Sequence, residues 1–204
     1  MKKLYLFFVS VIVLISSVFI MSASATTIDT YTVVKGDSLW KIAVKYQVGL
    51  SEIIEANPQF PNPNLIYPGD KVYIPLLDTN ITSYEQQVID LVNNIRVQKG
   101  LKKLSANWEL SRVARYKSQD MHDKKYFSHT SPTYGSPFDM MKSFNISYRT
   151  AGENIARGQR TPKEVVDAWM NSSGHRANIL NSSFTQIGVG YVADGNYWTQ
   201  MFIG

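Results

Sequence analysis

The segment Ile187-Gly-Val-Gly-Tyr191-Val-Ala-Asp194-Gly195-Asn-Tyr197-Trp-Thr-Gln-Met-Phe-Ile203 decides the fold class of the larger part of this chain. Its first apolar residues alternate with glycines, which is the two-residue period of a β-strand. Asp194-Gly195 favours a tight hairpin turn, so Tyr197 to Ile203 is predicted to return antiparallel to the first strand. The sequence therefore predicts a small antiparallel sheet at this end of the chain.

Helical patterns precede this hairpin. Four helix starts are indicated by a capping residue or a helix-initial proline, at Ser83, near Asn107, at Ser136-Pro137 and at Thr161-Pro162. Apolar residues follow each start at the spacing of one helix face. Helices that flank a small sheet predict an α+β fold or a three-layer sandwich for this part of the chain.

Three polar segments in the same part contain residues that can do chemistry. Phe127-Ser-His129-Thr-Ser-Pro132 is a loop with a histidine, and Ala151-Gly-Glu153-Asn-Ile-Ala156 places an acid among small residues. Trp169-Met-Asn-Ser-Ser-Gly174-His175 ends on a histidine just past a predicted helix end. Each segment alone also has an ordinary interpretation as a cap, a solvated side chain or a local hydrogen-bond partner. The third histidine, His122, lies outside these segments and is interpreted as a surface residue.

Several enzyme classes have no support in the sequence. It contains no His-Glu-x-x-His, Gly-x-Ser-x-Gly or Gly-x-x-x-x-Gly-Lys pattern, so zincins, α/β-hydrolases and P-loop enzymes are not indicated. It also contains no cysteine, which excludes a disulfide scaffold, an iron–sulfur cluster and a cysteine nucleophile. The net charge of +5 is mild and lacks the dense basic run of a nucleic-acid binder.

Taken in order, the three polar segments and the Ile187-Gly-Val-Gly-Tyr191 strand resemble the CAP superfamily of cysteine-rich secretory proteins, antigen 5 and pathogenesis-related 1 proteins. The resemblance covers about residues 84–204 and is closest to the cysteine-free bacterial branch. It implies an α–β–α sandwich with a central cleft. In that cleft His129 and His175 match the two histidines of the family, and Glu153 matches its first acid.

The second acid of the family has no counterpart. It normally follows the tryptophan of the helix before the last histidine, where this chain reads Trp169-Met-Asn171-Ser. The resemblance implies that the two histidines can bind zinc, with Glu153 as an optional third ligand, and such a centre can acidify a water for hydrolysis. His129, Glu153 and His175 are then the catalytic candidates. The same trio can equally form a structural hydrogen-bond cluster in which Glu153 fixes the histidine tautomers.

The N-terminal part of the chain is organised differently. Strands are predicted at Tyr31-Thr-Val-Val34 and Lys71-Val-Tyr-Ile-Pro75, with two helices between them, the first ending at Gly49 and the second starting at Ser51. This βααβ unit closely resembles a LysM module over residues 30–75. Its Asn64-Leu-Ile-Tyr-Pro-Gly69 stretch is most similar to the LysM of spore coat assembly proteins.

The LysM resemblance implies binding of N-acetylglucosamine-containing glycans, mainly peptidoglycan and chitin. It places the sugar groove between two loops, which hold Gly36, Asp37, Ser38, Leu39, Asn64, Leu65 and Ile66. Exposed backbone amides in such loops can bond acetamido groups, and an apolar wall can accept the methyl group. Gly36 and Asp37 have a second interpretation, as the turn and cap between strand and helix.

The first residues have the layout of a secretory signal peptide, predicted for residues 1–25. A basic Met1-Lys-Lys3 is followed by the apolar stretch Leu4 to Met21 and by Ala23-Ser-Ala25, a small-residue cleavage site. The alternative is an uncleaved membrane anchor, since a stretch of about 18 apolar residues can just span a bilayer. Residues 76–82 are predicted to be a linker, and residues 83–204 to be the CAP domain.

These features predict a secreted, peptidoglycan-binding protein of the cell wall or spore envelope of a Gram-positive-type bacterium. The LysM module would anchor it, and the CAP cleft would bind a metal, a ligand or a partner such as a wall or spore coat protein. No nucleic-acid partner is expected, and no stable membrane anchor once the signal peptide is cleaved. The main alternative is a metal-dependent hydrolase of peptide or cell-wall substrates, against which the missing second acid counts. Sterol or lipid binding, also known in the CAP superfamily, is a third hypothesis.

Overall fold

A computed structural model describes residues 27–204 of the chain. The predicted signal peptide, residues 1–25, lies outside the described residues. None of the helices within residues 27–204 is both long and apolar enough to cross a membrane.

The described chain forms a small N-terminal module and a larger C-terminal domain. The elements of the module are β1 (Thr27–Thr32), α1 (Leu39–Tyr46), α2 (Leu50–Ala56) and β2 (Lys71–Leu76). The elements of the domain are α3 (Thr79–Gln98), β3 (Ser105–Ala106), α4 (Trp108–Asp123), α5 (Pro137–Ser143), β4 (Ala151–Arg157), α6 (Pro162–Asn171), α7 (Ser173–Ile179), β5 (Gln186–Val192) and β6 (Tyr197–Ile203).

The N-terminal module has the predicted βααβ order. Strands β1 and β2 pair antiparallel, and both helices pack on them around a core of their own. The predicted helix bounds were wrong at two points. Helix α1 ends before Gln47, which adopts a left-handed conformation (φ 55°) and bonds back to the last turn, so Gly49 does not end it. Gly49 is instead the N-cap of α2, which begins one residue before the predicted Ser51.

The C-terminal domain is the predicted α–β–α sandwich. Its sheet has the order β3-β5-β6-β4, with β3 parallel to β5 and the other pairs antiparallel. Residues Ile187, Val189 and Tyr191 of β5 face a core shared with α3 and α6. On the opposite face Gly188 and Gly190 lie directly against the backbone of α4. The alternation seen in the sequence is therefore an alternation between two differently packed faces.

Two features of the domain differ from the sequence-based prediction, and one strand was not predicted. Helix α3 begins at Thr79 rather than Ser83, because the Asp78 carboxylate accepts a hydrogen bond from the Asn80 N–H and caps the helix. The predicted linker 76–82 is thereby reduced to two residues between β2 and α3. The segment 151–157 is strand β4, which pairs with β6 and whose other edge is covered by side chains of α6 and α7.

Candidate functional site

Glu153 and His129 form a hydrogen-bonded pair at the edge of the sheet. Glu153 lies in the middle of β4 with only 1% of its side chain exposed, and its Oε1 is 2.7 Å from Nδ1 of His129. About half of the His129 side chain is exposed. Burial raises the pKa of Glu153, and this outweighs the opposite effects of the His129 hydrogen bond and the Lys117 charge. The second oxygen, Oε2, is buried and has no hydrogen-bond partner in the described structure.

His175 reaches the same edge of the sheet on α7. The sequence placed it just past a helix end, but after α6 ends at Asn171 the chain forms this second short helix. The side-chain amide of Asn154 donates to the His175 carbonyl (3.1 Å), and that of Asn178 donates to the Glu153 carbonyl (3.2 Å). These amides attach α7 to β4 and set the position of His175.

Two effects lower the pKa of His175. The first is burial, and the second is repulsion from the nearby His129. The imidazole of His175 is therefore held toward its neutral form, in which a ring nitrogen is available to accept a hydrogen bond or a metal. The structure thus brings the three predicted residues His129, Glu153 and His175 to one side of the domain.

The arrangement does not amount to a three-ligand metal centre. Within residues 27–204, no cluster of three or more histidine or acidic side chains is suited to hold a metal ion. Oε1 of Glu153 is occupied by His129, and α6 ends at Asn171 with no carboxylate after Trp169, where the family resemblance expects the second acid. Two imidazoles fall short of the three protein ligands that catalytic zinc sites usually have. The chemistry that this geometry supports directly is hydrogen bonding to a ligand.

A buried lysine under the site was missed by the sequence analysis. Lys117 of α4 is fully buried, and its Nζ donates to the His129 carbonyl (2.7 Å) and to the Tyr126 hydroxyl (3.2 Å). Burial lowers the pKa of Lys117, although the charges of Glu153 and Asp120 oppose this shift. The ammonium group therefore holds the backbone of the loop that carries His129.

A buried acid one turn further along α4 holds the same loop. The Asp120 carboxylate accepts hydrogen bonds from three hydroxyl groups of the loop, those of Tyr126, Ser131 and Thr133. The sequence contains one signal for these groups, since Lys117 and Asp120 both lie on the apolar face of α4. Because charged residues usually lie on the solvent face of a helix, this placement alone did not predict a buried charged pair.

His122, interpreted as a surface residue, lies near the surface but is mostly covered and paired. Its side chain is only 13% exposed and lies between two carboxylates, with Nδ1 2.6 Å from Asp123 and Nε2 2.9 Å from Asp194. Asp194 belongs to the turn between β5 and β6, so His122 connects the end of α4 to this hairpin. This is a structural role away from the cleft.

The predicted glycan-contacting residues of the first loop have mainly structural roles. Gly36 forms the turn with a positive φ of 95°, and the Asp37 carboxylate accepts from the Tyr31 hydroxyl and the Val34 N–H, each at 2.9 Å. Ser38 caps α1. The Leu39 side chain is buried in the module core, so its prediction as a contact residue was wrong for the side chain.

The second loop presents more side chains to solvent. Asn64 and Leu65 are exposed, whereas Ile66 is half-buried against the core. Two exposed aromatic residues near the loops were not among the predicted contacts. These are Tyr67, directly after Ile66, and Trp40, the second residue of α1.

Comparison with known proteins assigns both units. Residues 89–202 match the model of the CAP family, the cysteine-rich secretory protein family, and residues 31–75 match the model of the LysM domain. The chain therefore belongs to the CAP family and carries a LysM module before its CAP domain.

Individual relatives match only part of the chain. The chain is 65% identical over 126 residues to the uncharacterized protein YkwD of Bacillus subtilis, a match that spans 62% of this chain and 49% of the relative. Over 45 residues, 22% of this chain and 7% of the relative, it is 49% identical to the spore coat assembly protein ExsA of Bacillus cereus. The chain thus spans about half the length of YkwD.

A solved structure with a similar fold is an extracellular protein containing an SCP domain from Bacillus anthracis. It superimposes with a TM-score of 0.59 and 37% identity, covering 67% of this chain and 47% of that protein.

Proposed function

We propose that this protein is a secreted binding protein of the cell wall or spore envelope, anchored by its LysM module to a glycan that contains N-acetylglucosamine. The CAP cleft then serves as a site for a ligand or a protein partner. The observation that carries the proposal is a set of exposed apolar side chains beside the two loops of a module whose core is already complete.

The exposure of these side chains is large. Trp40, Leu65 and Tyr67 are 61%, 55% and 63% exposed, although residues of these types usually bury most of their surface. Because they contribute little to the core, folding does not explain their positions. What supports a role in binding is that all three lie in or next to the two loops that the LysM resemblance assigns to the sugar groove. Aromatic rings of this kind can stack on sugar rings and accept the methyl group of an acetamido substituent.

The first experiment tests the glycan site. Changing Leu65 and Tyr67 together to alanine should reduce retention of the whole exported protein on insoluble peptidoglycan at least tenfold. The measurement is the bound fraction after centrifugation, with soluble chito-oligosaccharide as competitor. Ile54→Ala is the matched control, since Ile54 is an exposed apolar residue on α2 of the same module, outside both loops. Equal retention of all variants would show that Leu65 and Tyr67 do not form the glycan site, and retention that salt abolishes would show charge attraction instead.

Secretion is tested at the N-terminus. If residues 1–25 are a cleaved signal peptide, mass spectrometry of exported protein should find Thr26 as the first residue. Intact Met1 in a membrane fraction would favour the anchor alternative.

The similarity of the LysM module to ExsA supports a spore envelope destination, and the similarity to the B. anthracis extracellular protein supports export.

A metal-dependent hydrolase is the second candidate function. It is supported by the meeting of His129, Glu153 and His175 on one side of the domain, and it is opposed by Asn171 in place of the second acid. Zinc would be held by the two imidazoles, with Glu153 orienting His129 through its Nδ1. When bound, zinc would supply a polarised water.

Zinc titration separates the two candidate functions. If the two imidazoles hold zinc, calorimetry should show binding to the wild type at pH 7.5, weaker binding at pH 5 because protonated imidazole is not a ligand, and none to His175→Ala. His122→Gln serves as a control that changes a histidine outside the cleft. Equal zinc affinity in the wild type and His175→Ala would show that His129, Glu153 and His175 form a structural hydrogen-bond cluster and not a metal site. Zinc binding without turnover of peptide or wall substrates would exclude the hydrolase.

A further inference from the structure

We propose that Glu52 of the LysM module and Arg112 of the CAP domain form a clasp that holds the two units in one fixed orientation. This inference goes beyond the proposed function. It does not depend on whether the LysM module binds a glycan. It concerns how a ligand on one unit is placed relative to the cleft of the other.

The clasp is a two-pronged ion pair between α2 and α4. Nε of Arg112 lies 2.6 Å from one oxygen of Glu52, and Nη2 lies 2.7 Å from the other. The same Nη2 donates to the Ser51 hydroxyl at 2.8 Å. The Arg112 and Glu52 side chains are 21% and 27% exposed, so the pair is partly protected from solvent. Bidentate geometry of this kind fixes direction as well as distance.

Neighbouring groups hold the guanidinium in place from both units. On the CAP side it lies 5.3 Å from the ring centre of Tyr116 and 5.2 Å from that of Phe144. On the LysM side a Cβ at Gly49 would lie 2.0 Å from Oε2 of Glu52 and 2.2 Å from Nε of Arg112, so a larger residue would force the paired side chains to shift. A planar guanidinium between aromatic rings and a bare backbone has little freedom to rotate.

The apolar contact beside the clasp is incompletely filled. A cavity of about 200 Å³ lies beside the clasp, lined by apolar side chains of both units such as Val48, Pro75, Ile81 and Val192. An incompletely filled contact of this kind tolerates small rotations, whereas a paired charge does not. The direct connection is also short, since only Leu77 and Asp78 separate β2 from α3.

The ionisation of Glu52 is consistent with this role. Burial alone would raise its pKa, but the hydrogen bonds and charge of Arg112 outweigh burial, and the net pKa lies below the ordinary value. The carboxylate is therefore charged at neutral pH. A glycan strand bound by the LysM loops would then always meet the CAP cleft in the same direction.

Nuclear spin relaxation on the whole exported protein tests the clasp. In the wild type, backbone amides of the LysM module and of the CAP domain should share one rotational correlation time. In Arg112→Gln the LysM amides should show a shorter rotational correlation time, because the LysM module should spend more time undocked from the CAP domain. Losing a charge-assisted pair should lower the ratio of docked to undocked forms by roughly tenfold to a hundredfold. The charge-swapped double variant Glu52→Arg/Arg112→Glu should restore part of the common time.

Lys163→Gln is the control, since it breaks an exposed ion pair with Asp167 within α6 and should leave the common correlation time unchanged. If Arg112→Gln loses the chemical shifts of either folded unit, Glu52→Gln tests the same contact from the LysM side. Two separate correlation times in the wild type would overturn the proposal, as would a common time that survives Arg112→Gln or Glu52→Gln in a folded protein. Peptidoglycan retention is measured separately, so its failure would leave this result unaffected.

Discussion

Gly190→Ala should lower the free energy of unfolding of the CAP domain by about 3 kcal/mol or more. A Cβ at this position would lie 2.1 Å from the Arg115 nitrogen and 2.2 Å from the Ala114 carbonyl carbon, both backbone atoms of α4. Because a backbone cannot move aside as a flexible side chain can, the whole helix must shift away from the sheet. Urea denaturation of the wild type and the variant measures the loss.

The displacement should also reach the candidate site. Helix α4 carries Lys117 and Asp120, which hold the loop of His129, so the His129–Glu153 hydrogen bond should weaken in the same variant. Gly174→Ala is the matched control, because a Cβ there would meet no atom within 4 Å. Its stability should change by no more than about 1 kcal/mol, in the stabilising direction expected of alanine in a helix. An equal loss in both variants would contradict the close-approach argument.

Arg96→Met should lower the free energy of unfolding by about 3 kcal/mol. Arg96 of α3 is fully buried and donates to three backbone carbonyls, those of Lys102, Ile179 and Asn181, at 2.8–2.9 Å. Methionine retains much of the apolar stem but leaves these carbonyls without donors, and each unsatisfied buried group costs about 1–3 kcal/mol. The net loss is less than the sum because water can reach some of them.

The consequence for the site is specific to α7. Two of the three carbonyls belong to the end of this helix and the residues after it, so hydrogen exchange of the α7 amides around His175 should accelerate more than that of β6. Arg176→Met is the control on the same helix. Arg176 is exposed and donates to the Met170 carbonyl, so its loss should change stability by no more than about 0.5 kcal/mol. Uniform acceleration over the whole domain would mean that Arg96 stabilises the fold without positioning α7.

Most of the fold could be predicted because its signals are local. The alternation from Ile187 to Tyr191, the turn at Asp194-Gly195 and the caps at Ser136 and Thr161 each depend on residues close in sequence. The wrong helix start arose where two residues could each cap the same helix. Ser83 has the pattern of a helix start, yet Asp78 begins the helix earlier.

The candidate site could be predicted only in part. His129, Glu153 and His175 were found because family motifs mark them, and the structure brings them to one side of the domain. The groups that hold them, Lys117 and Arg96, have no motif. Their importance appears only when burial and hydrogen-bond partners are known.

The sequence by itself determined the main helices, the β5–β6 hairpin, the division into two units and the family of each, because periodicity, capping and motif spacing act over short stretches of chain. Tertiary structure alone decided which face of β5 receives α4 and that Glu52 meets Arg112. Each of these depends on contacts between residues far apart in sequence or on the packing of a whole unit. Burial also changes the chemistry of a side chain, because removing water makes an ordinary charge such as that of Lys117 or Glu153 costly unless a specific partner lies within reach.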